Sequence, residues 1–292
     1  MVPLLVSLFQ SRVDPGLTVD RVFAQIQSDW GGLLAEEFAS VVPETEEQTR
    51  GSAKAIEAIG FRFDNTRVVV AAFGIPYDFD VQTAAEVSAY WEDGLELPDI
   101  HGPSLVVTVL PNVDAGDDPD EYYLDDDRDV IGEAILISRV AASVQACTDS
   151  LTADFAHTAD MLIPPATYRS VALDAAPGLP MTTWVDFLVA DEAGTTSGET
   201  IGLTDLRLYD VEIPDSQMPA ETVVRVLVDA AMFQYEHGLV VEDGMTLESE
   251  FGEFQANIVP SKYDPEFWVM QLTPPVLANR AQRRAAARKR RR

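Results

Sequence analysis

"GFRFDNTRVVVAAFGIP" occupies residues 60–76 and decides between two plans for the chain. Two β-prone runs flank Asp64-Asn65, residue types that tolerate the positive φ of a tight turn. The stretch reads as an antiparallel hairpin whose second strand, Val68–Phe73, is apolar throughout and therefore buried. Parallel strands need a long crossover instead. A hairpin here favours α+β, with mixed or antiparallel sheets and packed helices, over a doubly wound parallel sheet.

Upstream, the apolar run Pro3–Phe9 reads as a first, central strand. Thr18 or Asp20 can cap a helix through "VDRVFAQIQSDW", where Val19, Val22, Phe23 and Ile26 form one stripe. Residues 43–52 are polar and read as a loop or a short exposed helix. Downstream, residues 80–92 have helical spacing and "SLVVTVLP" (104–111) is a buried strand stopped by Pro111. A long helix is expected from about Asp129 to Ser150, with Leu136, Val140, Val144, Cys147 and Leu151 as its single buried stripe. "ADMLIPPATYRSVA" (159–172) suggests a short strand ended by Pro164-Pro165.

"DAAPGLP" (174–180) is the best internal seam, dividing one large domain, 1–278, into sublobes 1–173 and 178–272. Beyond it, "TTWVDFLVAD" alternates as a strand and "AGTTSG" (193–198) reads as a loop. "LRLYDVEIPD" is a strand with Tyr209, Val211 and Ile213 inward and Asp210 and Glu212 outward. A change of role is expected near Tyr209. Pro219 opens a helix ending near Gly238, with Val224, Leu227, Val228, Ala231 and Tyr235 as its core stripe. Three strands follow, around "MTLESE", "FQANIV" and "FWVMQL", and Pro274-Pro275 closes the body.

Charge excludes more than it identifies. Residues 279–292 carry eight of the 20 Lys and Arg and no acid, leaving 12 bases against 49 acids in the rest, a net charge of −37. Such a body repels polyanions, and nucleic-acid binding by it is disfavoured because phosphate contacts need clustered cations. The apolar fraction of 47% is that of a globular chain. Cys147 is the single cysteine, so no intrachain disulfide forms, which fits a reducing compartment. No convincing signal peptide and no run of about 18 apolar residues is seen. The expectation is a cytoplasmic protein without membrane contact.

"GIPYDFDVQTAAEVSAYWED", "HGPSLVVTVLP", "LIPPATY", "TWVDFLVADEAGTTSGETIGLTDLRLYDVEIPD" and "QYEHGLVVEDGMTL" occur in this order. Together they resemble the bacterial family catalogued as domain of unknown function 4261, most specifically at Trp184–Ile213 and Tyr235–Thr246. The likeness runs through most of residues 1–272, with Asp114–Asp129 and the basic tail as additions. It brings no activity and no catalytic residue. Some members resemble immunity proteins of bacterial toxin systems in genomic setting, which implies a protein-binding role.

No motif for chemistry emerges. Cys147 lies on an apolar stripe and reads as core. There is no G-x-S-x-G elbow, no phosphate loop and no H-E-x-x-H or C-x-x-C, and His101, His157 and His237 lack metal spacing. His237, before Gly238, suits a helix C-terminus. No catalytic residue, metal or cofactor is assigned. Nine acids and one base lie between Asp114 and Asp129. Asp125, Asp127 and Asp129 match the first EF-hand ligand positions, but Val130 stands where Gly is needed and Leu136 where Glu is needed. A solvated acidic loop is the plainer reading.

Asp125, Asp126 and Asp127 are accordingly candidate interaction residues, with Arg288, Lys289 and Arg290 of the tail as their counterparts. The tail is a solvated terminus, a strap on its own acidic body, or, ranked below these, a basic arm for nucleic acid. The reading favoured is a non-enzymatic factor binding a basic protein partner, with a toxin-neutralising immunity protein as its finer form. The alternatives are an enzyme using a carboxylate pair such as Asp186 and Glu199, in or near "GTTSGETIG", and a basic-tailed adaptor for nucleic acid.

Overall fold

A computed structural model describes residues 3–273 apart from 35–37, 39, 45–57, 64–65, 74–79, 93–94, 111–121, 124, 126 and 193. The chain divides into two compact units. The first is Met1–Asp186 with Ile201–Arg207, and the second is Phe187–Thr200 with Leu208–Arg292.

The first unit is built on a seven-stranded sheet, β1 (Leu5–Gln10), β2 (Val42–Pro43), β3 (Ala58–Phe63), β4 (Thr66–Phe73), β5 (Ser104–Leu110), β6 (Leu151–Ala156) and β7 (Met161–Ile163), in the order β2-β3-β4-β5-β1-β6-β7. The expected hairpin is present: Phe63 faces Thr66 and the ladder continues to Ala58 opposite Ala71. Every pairing in this sheet is antiparallel. β1 is central, as its apolar run implies.

Three helices pack together with this sheet: α1 (Val19–Trp30), α3 (Val130–Cys147) and α4 (Pro165–Ala175). Thr18 is the N-cap of α1, its Oγ1 accepting from the Arg21 amide at 3.4 Å. Asp129 caps α3 by accepting from the Gly132 amide at 2.9 Å. Burial of α3 exceeds the single stripe expected, since residues 137–145 are all buried. It is the one described helix long and apolar enough to cross a membrane, and most of it is buried inside the fold. Phe9, Ala153, Phe155 and Leu162 form a further core cluster with Ala84 and Ala85 of α2 (Val81–Val87), which Asp80 caps.

Pro164-Pro165 does end β7, but it also starts α4. Pro165 needs no amide partner in a first turn, so the pair that reads as a stop is a helix N-terminus.

The second unit holds a six-stranded mixed sheet, β8 (Asp186–Glu192), β9 (Thr195–Ile201), β10 (Val211–Ser216), β11 (Thr246–Ser249), β12 (Gly252–Pro260) and β13 (Trp268–Thr273), in the order β11-β12-β13-β10-β9-β8. β10 and β13 run parallel, and the β11–β12 and β12–β13 pairs are antiparallel. With its helices and two such sheets the protein is α+β.

Three details depart from the sequence reading. "GTTSGETI" is mostly strand β9, not a loop, because α5 (Ala220–His237) lies close over it. A Cβ on Gly198 would stand 2.5 Å from Val223 Cγ1 and 3.0 Å from Leu227 Cδ1. β10 begins only at Val211, after a helical turn at Thr204–Leu206 and a left-handed Arg207 at φ 59°. Glu212 is buried, not outward, because its carboxylate accepts from Ser261 Oγ at 2.5 Å and from the Lys262 amide at 3.2 Å.

Candidate binding groove

The sequence of α5 sets the first wall. Gly238, at φ 74°, ends the helix and gives its amide to Gln234 O at 2.7 Å. Gln234 is fully buried. Its Nε2 donates to Tyr209 O at 2.9 Å and its Oε1 accepts from the Tyr209 amide at 3.0 Å, so one side-chain amide fixes the helix to the segment before β10. This polar anchor replaces Tyr235 in the core stripe. The buried set is Val223, Val226, Leu227, Ala230, Ala231 and Gln234.

Anchored this way, α5 aligns Val226, Asp229, Ala230 and Phe233, at helical spacing, along a groove of about 290 Å³. The opposite wall comes from β11, β12 and β13 through Leu247, Phe254 and Leu272, with Met245 before β11. Phe254 and Leu272 are fully buried at its floor, while Met245 is 39% exposed at its lip. Phe233 stacks on His237, ring centroids 4.6 Å apart, which holds both rings at one end.

Asp229 and Glu248 are exposed and line this apolar wall. Neither has a cation partner among the described residues. Glu250 differs: it pairs with Arg225, whose guanidinium also lies 4.9 Å over the Phe251 ring. Leu247 faces Phe254 across the β11–β12 ladder, and Glu248 faces Glu253 beside it. Two like charges directly opposite in a ladder disfavour the pairing unless a cation joins them.

The residues singled out on sequence sit elsewhere. Asp125 and Asp127 are exposed, and the Asp125 carboxylate accepts from the Asp127 amide at 3.0 Å. The Asp125 carbonyl accepts from Arg207. Asp126, Arg288, Lys289 and Arg290 lie outside the described residues. Next to Asp127, Arg128 is buried against Glu133 in a charge-assisted pair and lies about 5 Å from the Tyr122 and Tyr123 rings. Burial, then Glu133, push the Tyr122 hydroxyl up, so it stays protonated and donates to Glu133 at 2.6 Å. In the described part of this stretch Asp125 closes a turn and Asp129 caps α3.

Other chemistry-bearing groups are enclosed. Ser7 Oγ and His157 Nε2 lie 2.8 Å apart, and burial lowers the His157 pKa to about 4, so the ring is neutral; Ser7 has no exposed surface from which to attack a substrate. Cys147 is buried, which raises its thiol pKa, and it packs as core. His237 ends α5 and its ring nitrogen meets Phe233 O at 3.0 Å. Asp186 is buried at the start of β8, and Glu199 lies on β9 opposite Glu212. Among the described residues no cluster of three metal-ligating side chains occurs.

The groove missed on sequence is assembled from a helix stripe and three strands, and Asp229 and Glu248 are the charged residues of its mostly apolar lining. The fold is α+β with a groove on its second sheet. Residues 199–273, which supply α5 and four of the six strands of that sheet, match the model of the family described as Domain of unknown function (DUF4261), and the chain resembles that family. No curated protein matches the chain. No solved structure matches it either.

Proposed function

We propose that the chain is a non-enzymatic protein-binding factor of the bacterial cytoplasm, of the toxin-neutralising immunity type, and that the α5–β11 groove receives its partner. One observation carries this reading: an apolar groove lined by two carboxylates that have no cation partner among the described residues. The matching ligand is an amphipathic, basic segment of a protein, with an aliphatic side chain against Phe233 and Leu247 and Lys or Arg beside Asp229 and Glu248. The strongly acidic body steers such a partner to the site.

The test uses a fluorescein-labelled synthetic helix with Leu at i and i+4 and Arg between, followed by anisotropy at two salt concentrations. Asp229→Lys with Glu248→Lys is expected to weaken binding about ten-fold, and more at low salt. Phe233→Ala should weaken it at both salt concentrations. Binding that responds to neither change would remove the groove from the function.

A further inference from the structure

We propose that the chain's own segment 276–292 occupies the α5–β11 groove and competes there with the basic partner. This rests on the reading of the groove as a binding site and names what regulates it. The rung Thr246–Gln255–Thr273 crosses β11, β12 and β13 at one end of the groove, and Leu272, one residue earlier, lies in its floor. Strand β13 therefore ends beside the groove. Pro274 and Pro275 have no amide hydrogen with which to extend the β13 ladder.

Val276 and Leu277 come next. Four residues past Thr273 can span at most about 14 Å, enough to return an aliphatic side chain to the adjoining apolar wall. Beyond them come Arg280, Arg283 and Arg284 and then five consecutive cations, Arg288–Arg292. The order apolar then basic matches the groove, whose floor is Phe254 and Leu272 and whose lining includes the carboxylates Asp229 and Glu248. Asp229 and Glu248 find no cation among the described residues, and the tail supplies one at an effective concentration near the millimolar range. An outside ligand must displace it, so apparent affinity falls while selectivity for a stronger amphipath rises.

The experiment uses the full chain carrying Ala287→Cys with a nitroxide label. Cys147, 1% exposed, stays unlabelled. Methyl resonances of Leu247 and Leu272 should lose more than half their intensity relative to the reduced label. That loss should disappear in 1 M NaCl and in the Asp229→Lys, Glu248→Lys variant. Loss at Leu136, beside Asp125 and Asp129, in place of Leu247 would put the tail on the acidic loop and overturn the proposal. A second arm adds the synthetic Leu/Arg helix. If it shifts Leu247 and Leu272 while the label broadens neither, the groove stands and the tail is not its occupant. If neither probe affects these methyls, both readings fail.

Discussion

Asp154 should make the first unit lose stability as pH rises, and Asp154→Asn should abolish that loss. The carboxyl lies on β6 with no exposed surface, accepting from Gln145 Nε2 at 2.6 Å, and its Oδ1 has no hydrogen-bond partner. Burial pushes its pKa well above the carboxylate range. In the unfolded chain the group ionises near pH 3.9. Above that pH the unfolded state has released the proton and the folded state retains it, so the folded state is penalised as pH rises until its own, raised pKa is passed. The slope is about 1.4 kcal/mol per pH unit, or about 2.7 kcal/mol between pH 5 and pH 7 if the proton is retained throughout. Asn keeps the oxygen that accepts from Gln145 and does not titrate. The assay is urea unfolding from pH 4.5 to 8, followed by the fluorescence of Trp30 and Trp184, both fully buried in this unit. The difference between variant and parent should widen in favour of the variant with each unit of pH. Parallel pH profiles would show that Asp154 folds as an anion and would refute the reasoning.

Two further outcomes follow from the first unit. Gly202→Ala places a Cβ 2.3 Å from Trp184 O and 3.0 Å from Thr158 O at φ 115°, and both obstacles are backbone, so a loss of about 3 kcal/mol or more is expected in urea unfolding. Arg169→Met strips Asp29 of its bidentate partner, leaving Gln25 and Ser143. Burial raises the Asp29 pKa, but hydrogen bonds from Arg169 and Gln25 more than offset this and hold it below the usual value. A depressed carboxylate stabilises above its unfolded pKa and loses that stability as pH falls through the folded pKa. The variant should therefore cost about 2 kcal/mol at pH 7 and much less near pH 3, and an equal cost at both would assign the effect to packing.

Local periodicity carried the elements that depend on local chemistry. The β3–β4 hairpin, the Thr18 cap and the buried run of β5 could be read because turn residues, caps and apolar stretches are short-range signals. The failures share a cause, which is that a distant segment decides. Gly198 makes β9 look like a loop, yet it is small because α5 passes over it. The stripe of α5 is shifted because Gln234, polar by type, is buried against the Tyr209 backbone, and no spacing rule contains that pairing. Pro164-Pro165 is ambiguous locally, since the ring that blocks a strand also suits a helix start.

The site was illegible for a related reason. Composition draws attention to Asp114–Asp129, where acids are densest. In the described part of that stretch Asp125 closes a turn and Asp129 caps a helix, so local amides already engage both carboxylates. Asp229 and Glu248 are unremarkable in sequence, nineteen positions apart on a helix and a strand, and become a candidate site only when the fold sets both along one apolar groove. Charge density therefore predicts solvation, whereas unneutralised charge bordering apolar surface predicts a ligand. The second property is set by register and helix placement, so it needs the fold before it can be seen.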